Sequence, residues 1–252
     1  MDDQQLLRYS RHLLLNELGP DAQARFAAAH ALVVGTGGLG GPAAQFLASA
    51  GIGTITLVDA DVVDLTNLQR QILFAMDDVG TPKVQAAARR IAAINPEIRV
   101  VQVPKRVGDA ELAELVAAAD VVLDCTDNFA TRHAINRASV AARKPLVSGA
   151  AIRFDGQLAV YDTRDATSPC YHCLFGEGAD LEETRCATMG VFAPLVGIVG
   201  ATQAAEALKL VAGIGRSLAG RLLLIDALSM EWREVRVPRD PVCPVCAGRD
   251  ST

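Results

Sequence analysis

Between residues 31 and 148, short apolar runs alternate with stretches whose apolar positions recur every three to four residues, the period of a helix face. Ala31–Val34 reads as a buried strand, Gly38–Ala50 as a helix and Thr54–Val58 as a second strand ending at Asp59. Thr81-Pro82-Lys83 starts a helix, with Thr81 suited to the N-cap and Pro82 to the first turn; Asn95-Pro96 stops it after Ile94. Arg99–Val103 is a third strand, Asp109–Ala119 a helix, Val121–Asp124 a fourth strand, Asn128–Ala142 a helix and Pro145–Ser148 a fifth strand. This β-α-β alternation predicts an α/β fold with a Rossmann-like, mostly parallel sheet covered on both faces.

After Gly149 the pattern changes. Gln157–Tyr161, Arg221–Ile225 and Trp232–Val237 read as strands without crossover helices between them, so the sheet is expected to be extended by antiparallel strands. One long helix, from about Val191 to Val211, lies between the first two. The first thirty residues read as polar-rich helices, with Arg8-Tyr9-Ser10-Arg11-His12 on one of them. A single domain over 1–252 is expected: N-terminal helices in 1–30, a nucleotide-binding half in 31–150, and a half in 151–252 that ends in a metal clamp.

The chain has 252 residues, half of them hydrophobic, enough for a full core. A net charge of -5 offers no polyanion-binding surface, so nucleic acid is not expected as a partner. The start, Met1-Asp2-Asp3-Gln4-Gln5, lacks the basic and apolar regions of a signal peptide. The longest apolar stretch, Val191–Ala205, is expected to be broken by Pro194 and Gly197, and it leads into Glu206 and Lys209, so no membrane span is expected. A cytoplasmic location follows. There, six cysteines read as ligands, thiols or core residues before disulfides.

Gly35-Thr36-Gly37-Gly38-Leu39-Gly40 follows a strand and opens a helix, the context in which such a turn binds phosphate. Gly35 permits the tight turn, Gly37 lets backbone approach phosphate, and Gly40 lets the helix pack on the strand. Asp59, at the end of the second strand, is placed to accept hydrogen bonds from a ribose, which argues against a purely structural turn. A reacting triphosphate needs cations beside it. The chain supplies them in the polar stretch Asp61–Gln71, with Asn67 and Arg70, and in Lys83 at a helix start. Asp127, in Asp124-Cys125-Thr126-Asp127-Asn128, lies at the carboxyl end of the fourth strand and suits a magnesium ion. Each of these residues alone reads equally well as solvated surface or a helix cap. Their convergence on one sheet edge is what argues for a site that uses ATP.

Cys170/Cys173 and Cys243/Cys246 form two tight pairs suited to one structural zinc ion, whose four-sulfur shell leaves no position for water. His172 between them reads as a surface histidine, and Cys125 as a packed thiol. Cys186 lies in a polar, glycine-punctuated stretch expected to be a mobile loop, where Arg185 favours its thiolate and nearby acids oppose it.

Nearly the whole chain resembles the MoeB/ThiF/HesA family, bacterial relatives of the ubiquitin-activating enzymes, with the molybdopterin-synthase branch the nearest. The matching segments are Arg8-Tyr9-Ser10-Arg11, Gly35–Gly40, Ser49–Gly53, Asn67–Gln71, Gly80–Lys83, Asp124–Asn128, Val147–Arg153 and both cysteine pairs. The resemblance implies that Gly38 contacts the nucleotide, Asp59 holds the ribose, and Asn67, Arg70 and Lys83 hold phosphates. It assigns Asp127 to magnesium and catalysis. It also implies a homodimer in which Arg11 reaches the partner subunit's phosphates, and a cysteine near position 186 that in some members links covalently to the carrier.

The function expected is magnesium- and ATP-dependent adenylation of the C-terminal glycine of a ubiquitin-like sulfur-carrier protein, of the molybdopterin-synthase small-subunit type. The six residues after Cys246 leave no room for a fused sulfurtransferase domain. The alternatives are the same chemistry on the thiamine-pathway carrier, an NAD-dependent oxidoreductase with a structural zinc, and a non-catalytic scaffold of this fold.

Overall fold

The computed structural model describes residues 1–177 and 189–248. Eight strands form one sheet: β1 (His30–Val34), β2 (Thr54–Val58), β3 (Arg99–Val103), β4 (Val121–Asp124), β5 (Leu146–Ile152), β6 (Asp155–Tyr161), β7 (Arg221–Asp226) and β8 (Glu231–Arg236). Their spatial order is β3-β2-β1-β4-β5-β6-β7-β8. The first five pair parallel, in order β3-β2-β1-β4-β5, and the last four pair antiparallel from β5 outwards. The chain therefore leaves β1 in opposite directions along the sheet, and the crevice outside the carboxyl ends of β1 and β4 is where such a fold binds ligands.

Helices cover both faces of the parallel half. The nine are α1 (Asp3–Arg8), α2 (Ser10–Leu13), α3 (Gly19–Ala28), α4 (Gly40–Ala50), α5 (Lys83–Ile94), α6 (Asp109–Ala118), α7 (Phe129–Ala141), α8 (Tyr171–Leu174) and α9 (Ala193–Ala212) among the described residues. Phe26, Leu47, Ile91, Leu195 and Val199 join β1, β2 and β4 residues in one core layer. Leu112, Val116, Ile135 and Tyr171 form the other. Buried apolar side chains of this size each contribute about 1.5–3 kcal/mol.

Most predicted elements stand within two residues of their expected bounds. The fifth strand runs four residues past its expected end, to Ile152, because it pairs antiparallel with β6 beyond Ser148. Three other expectations differ for identifiable reasons. Arg8–His12 is not on one helix: Arg8 ends α1, and Tyr9 turns inward before α2, where its hydroxyl accepts from buried Asn95 Nδ2 at 2.9 Å. Thr81 does not cap α5. Pro82 takes the cap position because Val62 and Pro82 bridge as extended chain and the Lys83 N–H donates to the Asp61 carbonyl at 2.9 Å. Nor do Pro194 and Gly197 break the long apolar stretch. Pro194 sits in the first turn of α9, where its missing N–H costs nothing, and the helix continues for twenty residues. By length and hydropathy α9 could cross a membrane, but half of its most apolar window is buried against the rest of the protein.

Two glycines set the floor of the crevice. Gly35 has φ of +89°, and a Cβ there would lie 2.7 Å from the Cys125 carbonyl oxygen. At Gly40 a Cβ would lie 1.8 Å from the Gly35 carbonyl oxygen, so α4 and the turn touch backbone to backbone. Gly40→Ala must push these apart, and we expect a loss of at least about 2 kcal/mol, read as a lower urea midpoint with an unchanged slope.

Candidate active site

An open cleft of about 1150 Å³ lies at the carboxyl ends of β1 and β4, and its walls include Gly37, Gly38, Asp59, Arg70, Lys83 and Asp127. The floor is the glycine turn and the start of α4. That helix has no side-chain N-cap, and among the described residues no acceptor takes the N–H groups of Gly38 and Leu39. An uncapped helix start with free N–H groups attracts an anion. Opposite it, buried Gln71 keeps Oε1 without a partner among the described residues.

Asp59 ties the floor together. Its Oδ2 accepts from the Thr36 N–H at 2.8 Å and the Thr36 hydroxyl at 3.0 Å, and its Oδ1 accepts from the Asp61 N–H at 2.9 Å. It therefore holds the turn as well as facing the cleft. Lys83 is buried, and its Nζ donates to Asp61 Oδ2 at 2.9 Å; the lysine is 7% exposed and its partner 63%. Such a pair keeps a cation in a place where it would otherwise be desolvated, and leaves the carboxylate able to swing into water. Arg70 is half-buried, with Nη1 donating to the Thr66 carbonyl at 3.1 Å.

Asp127 is exposed, and among the described residues its carboxylate has no hydrogen bond or ion pair. Its backbone is held firmly. Preceding it, Thr126 donates its N–H and hydroxyl to buried Asp124 Oδ1 at 3.1 and 2.7 Å, while Ser148 donates to Asp124 Oδ2 at 2.8 Å. Following it, Asn128 caps α7 by accepting the Thr131 N–H at 2.9 Å.

Two expected residues stand apart from this wall. Asn67 ends a 3₁₀ turn, Leu65–Asn67, and its Oδ1 accepts from the Asp64 N–H at 3.2 Å. Arg11 is exposed on α2 and does not line the cleft. Cys186 lies outside the described residues.

Cys170, Cys173, Cys243 and Cys246 converge elsewhere, packed against Val140 of α7. Their sulfur atoms all lie within 4.8 Å of one another. The contacts are 3.9 Å for Cys170–Cys173, 3.7 Å for Cys170–Cys243 and 3.5 Å for Cys173–Cys246. A tetrahedral zinc with bonds of about 2.3 Å requires sulfur separations of about 3.8 Å, so the four residues could hold such an ion. Outer contacts support thiolates: Asn136 Nδ2 donates to Cys170 Sγ at 3.7 Å, and the Asp240 N–H to Cys173 Sγ at 3.5 Å. His172 is not the free surface side chain expected. Its Nδ1 sits 3.7 Å from Cys243 Sγ and its Nε2 accepts the Glu177 N–H at 3.3 Å, because the one-turn helix α8 rolls the ring toward the cluster.

The ThiF family model matches residues 9–245. The chain belongs to the ThiF family. A molybdopterin-synthase adenylyltransferase of Escherichia coli K12 is 46% identical over 249 residues, covering 98% of each chain. The sulfur carrier protein ThiS adenylyltransferase of the same organism is 45% identical, covering 100% of this chain and 99% of that one. Among solved structures, E. coli MccB with ATP shares the fold at a TM-score of 0.83 and 27% identity, covering 95% of this chain and 73% of that one.

Three residues of this ThiF-family site escaped the sequence reading. Gln203 on α9 donates Nε2 to the carbonyls of Asp124 at 2.8 Å and Val147 at 3.2 Å, joining the ends of β4 and β5. Arg132 donates Nη2 to the Thr126 carbonyl at 2.7 Å. Ser148 anchors Asp124. In the sequence, Gln203 and Arg132 were polar residues inside helix patterns; a polar residue on an apolar face was the only available signal.

Cys125 is 7% exposed, and its thiol donates to Gln203 Oε1 at 3.5 Å. Burial, then the neighbouring Asp124 charge, pushes this thiol well above the ordinary cysteine range. The reactive form is the thiolate. Iodoacetamide at pH 8 is therefore expected to leave Cys125 unmodified in folded protein and to label it after denaturation, as followed by peptide mass mapping.

Proposed function

We propose that this protein is a magnesium- and ATP-dependent adenylyltransferase acting on the C-terminal glycine of a ubiquitin-like sulfur-carrier protein that ends in Gly-Gly. The observation that carries the reading is the cleft itself. It brings together an uncapped helix start, Arg70, Lys83 and an Asp127 carboxylate that is unpaired among the described residues. The relatives named adenylyltransferases support it and count against the nicotinamide oxidoreductase.

In this reading, a carrier carboxylate oxygen attacks the α-phosphorus of ATP. The new bond is the acyl-phosphate anhydride, the bond broken is that to the β-phosphate oxygen, and pyrophosphate leaves with the electron pair. No side chain takes a proton. The residues position and neutralise: Asp59 binds the ribose, Gly38 and Leu39 N–H groups take phosphate oxygens, Arg70 and Lys83 offset their charge, and Asn67, from the rim, donates a neutral hydrogen bond to a phosphate oxygen. Lys83 exchanges Asp61 for phosphate as the nucleotide enters. Asp127 would hold a magnesium ion, whose positive charge would offset that of the phosphates. Carrier and nucleotide meet where Ala150, Ala151 and Gly156 line the cleft, a wall of small residues that suits an extended glycine tail.

We infer a homodimer in which Arg11 serves the partner's site. Exposed Leu6 and Leu7 on α1, and Leu14 and Leu15 just after α2, which carries Arg11, support an apolar interface there. A cytoplasmic location, a structural zinc at the four cysteines and one functional unit over 1–252 complete the reading. The molybdopterin-synthase type of carrier is the first candidate, and identities of 46% and 45% leave the thiamine type as the competing one. Cys186 forms no part of the adenylation step.

Labelled pyrophosphate is expected to exchange into ATP only with magnesium and a Gly-Gly-ending carrier; a panel of carriers names the pathway. No exchange with any carrier, in folded ATP-binding protein, would sink the proposal. Asp127→Ala and Arg11→Ala should each lower exchange on the order of a hundredfold while remaining folded. Mixing those two variants should restore part of the activity, since one site in the mixed dimer has both residues. Cys243→Ser should lose zinc and thermal stability together, by metal analysis and calorimetry; stable, metal-free, fully active wild-type protein would remove the structural zinc.

A further inference from the structure

Asp127 presents an opposition: a carboxylate with no hydrogen bond or ion pair among the described residues, beside Thr126, whose N–H, hydroxyl and carbonyl are all bonded. The ties come from both sides of Thr126. Asp124 takes its N–H and hydroxyl, and Arg132 takes its carbonyl from the opposite direction at 2.7 Å. Arg132 sits on α7, the helix capped by Asn128, and is 8% exposed. A cation this buried is costly unless it is matched. Burial works against its charge, but the Asp124 carboxylate first, then Tyr171 and Asp127, more than offset this and hold the guanidinium charged. Its ring neighbour is Phe129, with the guanidinium carbon 5.9 Å from the centroid. The Tyr171 hydroxyl is buried beside it and interacts with the guanidinium. Packing alone does not explain this placement. An apolar side chain of similar length would fill the same space without desolvating a charge.

We propose that Arg132 is a positioning residue for Asp127: its charged guanidinium clamps the Thr126 carbonyl and so sets the height and aim of the Asp127 carboxylate that receives the divalent cation. The inference rests on the proposed function and deepens it. Thr126 is the fixed point, Asp124 and Arg132 are the two jaws, and Asp127 is the free end. A cation at Asp127 needs its ligand within a few tenths of an ångström, and a loosened carboxylate gives a weaker site with slower chemistry. Arg132 acts through the backbone and does not itself need to touch the cation.

The test compares Arg132→Met, Arg132→Lys and Thr126→Ala with wild type in carrier-dependent pyrophosphate exchange, titrating magnesium at saturating ATP and carrier. It also compares manganese binding without turnover to protein loaded with a non-hydrolysable ATP analogue, where Arg132→Met should bind manganese about tenfold more weakly and unchanged binding overturns the clamp. Arg132→Met is expected to raise the half-saturating magnesium concentration about tenfold and lower the maximal rate at least tenfold. Arg132→Lys, which keeps the charge with a poorer reach, should recover part of both. Thr126→Ala loosens the other jaw and should shift magnesium dependence in the same direction, and combining it with Arg132→Lys should give less than the product of the two effects. Metal content of the cysteine cluster and thermal midpoint report folding. If Arg132→Met does not fold, Arg132→Lys and Thr126→Ala carry the test. A folded Arg132→Met, or that surviving pair, with magnesium half-saturation within twofold of wild type overturns the positioning role. Failure of wild type to exchange would instead overturn the function, and loss in Asp127→Ala with none in the Arg132 variants would overturn only the clamp.

Discussion

The structure depends on a backbone contact that excludes side chains. Gly40 meets the Gly35 carbonyl at the floor of the cleft, Gly35 abuts the Cys125 carbonyl at the end of β4, and a Cβ at Gly200 of α9 would lie 2.2 Å from the Leu39 carbonyl oxygen. Three elements distant in sequence therefore meet at one turn with no atoms to spare. That meeting fixes where α4 begins, and with it where its free N–H groups point. It also brings α9 close enough for Gln203 to bind the carbonyls of β4 and β5. The crevice opens at this place because the strand order reverses there, and the glycines let the walls approach.

Around that floor, rigidity and freedom are divided between backbone and side chains. Asp59 and Asp124 both brace the protein, each accepting three hydrogen bonds, Asp59 from Thr36 and Asp61 and Asp124 from Thr126 and from Ser148 of β5. Asp61 and Asp127 remain exposed, one paired with buried Lys83 and one unpaired among the described residues. Charge that is fixed in advance costs little reorganisation when an anionic ligand arrives. The cysteine cluster is built on the same plan farther away: Asn136 of α7 touches Cys170 Sγ and accepts the Tyr171 N–H at 2.9 Å, so the clamp is fastened to the helix that leaves the Asp127 loop.

Legibility in the sequence followed the range of the interaction. The parallel strands were clear because short runs rich in apolar and β-branched residues stand between helical periods, and β2 and β3 stand at the predicted bounds. The two cysteine pairs were equally clear, since their spacing carries the chemistry. Short-range rules failed where a distant residue intervened: Tyr9 was drawn in by Asn95, and Thr81 lost its capping role to the pairing of Val62 with Pro82. His172, Gln203 and Arg132 were illegible for the same reason. Their partners lie in other elements, and one-dimensional pattern shows only that a polar residue is present.

The central claim is that a carboxylate oxygen of the carrier becomes bonded to the α-phosphorus of ATP in this cleft. Heavy-oxygen labelling of the carrier's terminal carboxylate tests it most directly. After turnover with magnesium-ATP, and hydrolysis of the anhydride at its carbonyl, mass spectrometry should find one labelled oxygen in AMP and none in pyrophosphate. Label in pyrophosphate, or AMP released without label while the carrier is consumed, would contradict the account.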